Sequence, residues 1–162
     1  MIGIAREVTP EVDTNALLSG AQFADAFRVE IGAAHVNARE ACTRMVLHGP
    51  RWIDALLRLR HILVSPFGLK TSGEGAPAPG GLIGLFPVLS ETPERLVAGF
   101  DDSHLDFRIV VDVTGDAASR RVTSTTLVRT HNLLGRTYLT LIMPFHKLVV
   151  RSMMGRIVEP AR

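Results

Sequence analysis

Short stretches of alternating hydrophobic and polar residues recur along the chain, as expected for β-strands with one buried face. The first stretch, Phe23–Ile31, places Phe23, Asp25 and Phe27 on the same face. Four further strands are predicted at Leu82–Ser90, Arg95–Phe100, Leu105–Val113 and Arg121–His131. The connections between these four strands are too short for parallel crossovers, which predicts an antiparallel meander.

Apolar residues at helical spacing follow the first strand. Asn37 and Glu40 have the spacing of a capping box, which predicts that a short helix begins there. The Gly49-Pro50 pair separates it from a second short helix, which ends before Ser65-Pro66. The inward residues predicted for this second helix are Trp52, Ile53, Leu56, Leu57, Leu59, Ile62 and Leu63.

The longest helical pattern begins after Asn132, a residue that can cap a helix. The stripe predicted to face the sheet comprises Leu134, Tyr138, Leu141, Ile142, Phe145, Leu148, Val149 and Met153. It continues on both sides of Pro144, which predicts one bent helix rather than two. The order of the elements predicts an α+β fold: an antiparallel sheet wrapped around a long C-terminal helix, with two short helices after the first strand.

The length of 162 residues and a hydrophobic content of 46% fit one domain over 1–162, with no regular pattern in 1–15 and a flexible Gly- and Pro-rich loop at 70–81. The single cysteine, Cys42, cannot form an internal disulfide. Neither a secretory signal nor an apolar run long enough to span a membrane is found. Together these features predict a cytoplasmic protein.

Charge is unevenly distributed, although the net charge is only +2. Residues 1–119 hold 10 basic and 15 acidic side chains, whereas 120–162 hold 8 basic and one acidic side chain. A basic segment can bind an anionic partner such as nucleic acid or a lipid surface. The simpler interpretation is that the basic helix face meets the acidic turn Asp101-Asp102 and water. We therefore predict no nucleic-acid partner.

Five motifs in a fixed order carry a resemblance: Phe23–Phe27, Pro66–Lys70, Phe86–Pro93, Gly99–Arg108 and Val128–Arg136. With them the chain resembles the uncharacterised domain-of-unknown-function 2867 (DUF2867) family, which is similar to the SRPBCC-like helix-grip superfamily of START, Bet v 1 and polyketide-cyclase-like domains. The resemblance implies a helix-grip fold, in which an internal cavity can form. It implies no reaction, because members of that superfamily bind lipids, steroids or polyketides, or catalyse, on one scaffold.

Polar residues that could form ion pairs or bind a ligand lie on the last two strands of the meander. Asp106 and Arg108 share one face of their strand, and Arg129 and His131 share one face of the next. One interpretation is structural, with cross-strand ion pairs between the two strands. The other is functional: Arg129 and His131 bind an anionic or carbonyl group at the mouth of a cavity. The sequence leaves both open.

Large apolar side chains either line a pocket between the sheet and the last helix or fill the core. The candidate ligand-binding residues are Arg129, His131, Asp106, Arg108, Trp52, Phe86, Tyr138 and Phe145. The leading hypothesis is a module that binds a small hydrophobic or amphipathic molecule. The alternatives are a small cyclase- or hydrolase-like enzyme using the same cavity, and a protein-interaction domain with a filled core. Catalytic residues cannot be assigned.

Metal and cofactor sites are not predicted. His104, Asp106, His131 and His146 offer suitable ligand atoms but no diagnostic spacing. A Gly-x-Gly-x-x-Gly motif following a strand is also missing, so no dinucleotide cofactor is expected.

Overall fold

The computed structural model describes residues 3–47, 51, 55, 80–84, 86–101 and 103–158. Its strands are β1 (Arg6–Val8), β2 (Phe23–Gly32), β3 (Leu82–Ile83), β4 (Phe86–Glu91), β5 (Arg95–Asp101), β6 (Leu105–Thr114) and β7 (Arg120–Thr130). Its helices are α1 (Thr14–Leu17), α2 (Ala38–Leu47) and the C-terminal helix (Leu133–Gly155). The predicted α+β, helix-grip architecture is confirmed.

Every strand pair in the sheet is antiparallel, in the order β1-β2-β7-β6-β5-β4-β3. The meander from β4 to β7 follows from the short turns between its strands. The pairing of β2 with β7 joins segments far apart in the chain and places the start of the C-terminal helix beside the middle of the sheet.

The structure corrects one predicted strand and adds two elements that were not predicted, and two predicted segments lie outside the described residues. The predicted strand Leu82–Ser90 is instead a short hairpin of β3 and β4, because Gly84 adopts a positive φ of 59° and turns the chain. The elements β1 and α1 were not predicted. The second predicted helix, with Trp52, lies outside the described residues except for positions 51 and 55, and so does the predicted loop up to residue 79.

The sheet has an inner face, toward the C-terminal helix, and an opposite outer face. Phe27 defines the inner face, because the Arg151 guanidinium lies 5.5 Å from its ring centroid. Directly paired residues of antiparallel strands point to the same side. The inner row through Phe27 is therefore Phe27, Ser124, Val111 and Leu96. The next row is Asp25, Thr126, Ile109, Ala98 and Val88.

A third inner row, which we call the aromatic row, follows. Its members are Phe23, Val128, Phe107, Phe100 and Phe86. The Phe107 ring lies 5.7 Å from Phe86 and 5.7 Å from Phe100, measured between ring centroids. Two other rings of the row therefore pack around Phe107 on the inner face.

The main core lies between the inner face, α2 and the far end of the C-terminal helix. Phe27, Met45 and Met154 are among its fully buried members. Cys42 of α2 is also buried there, and burial raises the pKa of its thiol to about 11. The thiol is therefore protonated at neutral pH and packs as an apolar side chain.

The C-terminal helix is continuous through Pro144, as predicted, but the predicted inward stripe is wrong for three residues. Leu141, Phe145 and Leu148 are 69%, 54% and 56% exposed. The helix also carries a second apolar line, and its buried residues lie there: Gly135, Val150 and Met154. Because apolar residues occupy most of the helix circumference, periodicity alone could not choose between the two lines.

The N-terminal segment, residues 9–22, crosses part of the outer face. Glu11 accepts a 2.9 Å hydrogen bond from Arg28 of β2. Further along the segment, the Ser19 carbonyl accepts a 2.9 Å bond from Arg129 of β7, and Leu18 is buried. Side chains on the outer face of β2 and β7 therefore hold this segment in place.

Candidate functional site

One polar cluster lies on the outer face where β6 begins and β7 ends. Arg129 donates from Nη2 and Nε to Asp106 Oδ2, at 2.7 Å and 3.1 Å. His131 Nε2 lies 3.0 Å from Asp106 Oδ1. The Asp106 side chain is only 4% exposed, so two partners surround a nearly buried carboxylate. Arg108 pairs separately with Asp101, at 2.7 Å.

The geometry of this outer cluster supports the structural interpretation. All three side-chain nitrogens of Arg129 donate hydrogen bonds. Nε and Nη2 donate to Asp106, and Nη1 donates to the Ser19 carbonyl. The cluster thus ties the N-terminal segment to the sheet. Because Asp106 and Arg129 alternate with the inner residues Phe107 and Val128, a molecule held under the C-terminal helix would not touch them.

The pKa of Asp106 is lowered despite its burial. Burial by itself would raise the pKa, but the hydrogen bonds from His131 and Arg129 outweigh it. The native carboxylate therefore stays charged to a lower pH than the same group in the unfolded chain, whose pKa is about 3.9.

This pKa difference predicts acid sensitivity. A lowered native pKa contributes stability above the unfolded-state pKa, and that contribution is lost as the pH falls through the native pKa. We expect the free energy of unfolding to decrease below about pH 5, and to decrease less steeply in Asp106→Asn. Urea unfolding at several pH values between neutral and acid measures both slopes. Parallel slopes for the two proteins would contradict the role given to Asp106.

The predicted candidate residues do not form one site. Phe86 lies on the inner face in the aromatic row, and Tyr138 is partly buried on the C-terminal helix. Phe145 is mostly exposed. Trp52 lies outside the described residues. The structure therefore groups the polar candidates on one side of the sheet and places Phe86 on the other.

Partly buried apolar side chains on the aromatic row and on the first half of the C-terminal helix indicate a groove between the two. Phe23, Phe86, Phe100 and Phe107 point inward yet are only partly buried. The helix residues that face them are identified by spacing from Gly135, which lies against the His104 carbonyl, and from His146, which contacts Asp25. These facing residues are Leu139, Ile142 and Met143, and they too are only partly buried.

The two ends of the helix behave differently from its middle. Gly135 at one end and Val150 and Met154 at the other are buried. The helix is therefore closely packed at both ends, and the groove inferred from partial burial lies between them. The walls of the groove are aromatic on the sheet side and aliphatic or thioether on the helix side.

A second polar pair, Asp25 and His146, lies at the inner end of this groove. His146 Nε2 is 3.0 Å and 3.2 Å from the two carboxylate oxygens of Asp25, whose side chain is 5% exposed. The Phe23 ring meets the imidazole edge-on at 6.1 Å. An open cleft of about 450 Å³, lined in part by Thr9, Pro10 and Asp25, lies beside the pair.

Sequence reasoning missed this pair, although one signal was present. Asp25 falls on the same face of its strand as Phe23 and Phe27, so a carboxylate was placed among core residues. A buried carboxylate requires a partner. The partner, His146, is 121 positions away, and no local pattern connects the two.

Neither a membrane span nor a metal cluster is found in the described part of the chain. No helix there combines the length and apolarity that crossing a bilayer requires. Within the same residues, no three His, Cys, Asp or Glu side chains converge as metal ligands would.

The fold is that of an α+β domain built from an antiparallel sheet and a long C-terminal helix. The family model described as a protein of unknown function, DUF2867, matches residues 17–153. The chain therefore belongs to the DUF2867 family. No protein of curated function and no solved structure matches it significantly.

Proposed function

We propose that this domain binds a small hydrophobic or amphipathic molecule in the groove between the aromatic row and the C-terminal helix. The observation that carries the proposal is the partial exposure of apolar side chains on both walls. Phe100 and Phe107 on the inner face and Leu139, which helical spacing assigns to the side of the helix toward that face, are all only partly buried.

Partial exposure of facing apolar walls is unfavourable unless something covers them. Each square ångström of apolar surface removed from water stabilises by about 25 cal/mol. A ligand with an apolar body would cover both walls at once and recover that energy. Ligand sites are typically concave, mostly apolar and supplied with a few polar groups. The resemblance to helix-grip domains supports the same function and the proposed superfamily placement.

An enzyme built on Arg129, His131 and Asp106 is less well supported. The donors of Arg129 are already used within the protein, and the cluster lies on the face opposite the groove. The polar pair nearest to the groove is Asp25 and His146. We therefore favour binding over catalysis.

Filling the groove provides a direct test. Leu139→Trp places a large ring between the helix and the aromatic row, so we expect it to weaken binding of the neutral apolar dye N-phenylnaphthylamine more than about tenfold, or about 1.4 kcal/mol. Leu141→Trp makes the same change two residues away on the exposed side of the helix. It should leave binding unchanged. Dye fluorescence measures both affinities, and native mass spectrometry of freshly purified protein reports any molecule that co-purifies.

Two outcomes would argue against the groove. If Leu141→Trp weakens dye binding as much as Leu139→Trp, the dye binds the exposed helix side rather than the groove. If the unmodified protein binds neither the dye nor a co-purifying molecule, the alternative with a filled core is favoured. That second candidate, an interaction domain, is supported by the exposed line Leu141, Phe145 and Leu148.

A further inference from the structure

The polar groups behind the aromatic row determine which end group a bound molecule can carry, provided that the proposed groove is the binding site. Asp25 occupies the inner row next to the aromatic row, directly opposite Thr126 of β7. His146 reaches the same carboxylate from the C-terminal helix. A molecule lying in the groove would therefore direct one of its ends at a buried carboxylate-imidazole pair.

Ser124 provides a second, independent observation. It lies on the inner face opposite Phe27 and is only 1% exposed. Its Oγ has no hydrogen-bond partner among the residues that the structure describes. A buried hydroxyl without a partner is unfavourable, and most such groups in folded proteins are satisfied by protein, water or ligand. Ser124 and Asp25 are diagonal neighbours across β2 and β7, a spacing of roughly 7 Å.

The charge of this region disfavours an anionic end group. With a neutral imidazole the Asp25–His146 pair carries one negative charge, and with a protonated imidazole it is neutral. In neither state is the pair positive. A carboxylate or phosphate placed beside Asp25 would be repelled in a poorly solvated environment.

The basic side chains around this region are engaged by acidic or aromatic groups in the described part of the fold. Arg129 and Arg108 lie on the outer face, each paired with an aspartate. Lys147 of the helix pairs with Glu7. Arg151 lies over the Phe27 ring on an exposed flank of the helix.

We propose that the groove selects an apolar molecule ending in an uncharged hydroxyl group. Such a hydroxyl donates to the Asp25 carboxylate and accepts from the Ser124 hydroxyl, so both groups gain a partner. A carboxylate cannot donate to Asp25. An ammonium group can donate to both side chains, but removing its charge from water costs more than burying an uncharged hydroxyl.

Three molecules of equal chain length separate these end groups: dodecanol, dodecanoate and dodecylamine. Each molecule is titrated as a competitor against N-phenylnaphthylamine bound to the unmodified protein. The titrations are made at neutral pH and below the concentration at which the competitor aggregates. We expect dodecanol to displace the dye at a concentration about tenfold lower than dodecanoate, the effect of one hydrogen bond. Ser124→Ala should raise the dodecanol concentration needed to displace the dye severalfold, because it deletes the hydroxyl that donates to the ligand. It should not lower the melting temperature, because that hydroxyl has no described partner.

Thr125→Val is the matched control. The Thr125 hydroxyl is also buried without a described partner, but it lies on the outer face, so its removal should leave displacement by dodecanol unchanged. Equal or stronger displacement by dodecanoate overturns the proposal, and so does stronger displacement by dodecylamine. Unchanged displacement by dodecanol in Ser124→Ala overturns the role of Ser124. Failure of the dye to bind, in contrast, removes the groove itself.

Discussion

Gly135→Ala is expected to destabilise the protein by about 2–4 kcal/mol, although alanine is the better helix former by about 1 kcal/mol. A Cβ atom at position 135 would lie 2.2 Å from the His104 carbonyl oxygen and 3.1 Å from its carbon. That carbonyl accepts a 2.9 Å hydrogen bond from the His131 amide, so it cannot move freely. The helix would have to shift away from the sheet at its first turn.

Gly155→Ala is the matched control in the same helix, because a Cβ there would meet no atom of the described residues within 4 Å. We expect it to be neutral or slightly stabilising. Thermal and urea unfolding of the two variants measure the difference. Equal stability of the two variants would show that the helix does not approach the β5–β6 side of the sheet as closely as the structure indicates. Because the shift would also widen one end of the groove, dye affinity should change in Gly135→Ala alone.

Arg129→Met is expected to lower the free energy of unfolding by about 2–3 kcal/mol. Methionine retains much of the apolar stem of arginine but none of its donors. Among the described residues, the nearly buried Asp106 would keep only His131 as a side-chain partner. The Ser19 carbonyl would also lose its bond, which would loosen the N-terminal segment.

Arg95→Met is the control, because Arg95 also forms two bonds to an aspartate, Asp112, on the outer face. That pair is more exposed, so removing its arginine should cost at most about 1 kcal/mol. Urea unfolding gives both values, and dye titration gives the affinities. If Arg129→Met kept full stability but lost ligand affinity, the functional interpretation of Arg129 would replace the structural one.

The cap at Asn132 and the turn positions of the meander were predictable because each depends on neighbours in the chain. The Asn132 side chain accepts a 3.0 Å bond from the Gly135 amide, three residues away, as its sequence position suggested. The Asn37 side chain likewise accepts from the Glu40 amide at 2.8 Å. The ion pair of Arg129 with Asp106 was also among the predicted alternatives, because alternation along two adjacent strands constrained it.

Prediction of the candidate site was less complete. Phe86 was among the predicted ligand-binding residues. Its neighbours in the aromatic row come from four other strands, and their alignment depends on the register of strand pairing. Phe145 was placed inward because the helix has two apolar lines, and only contact with the sheet distinguishes them. Asp25 was assigned to a strand face without any role.

Features with local causes can be predicted from the amino-acid order alone: strand alternation, turns, helix caps and the amphipathic character of the long helix. Three features depend instead on the folded chain: the pairing of β2 with β7, the side of the C-terminal helix that is buried, and the contact of Asp25 with His146. The physical reason is that local hydrogen bonds and side-chain spacing act within a few residues. Burial and ion pairing instead depend on which distant surfaces meet, and a buried carboxylate can be satisfied by any suitable partner that the fold brings to it.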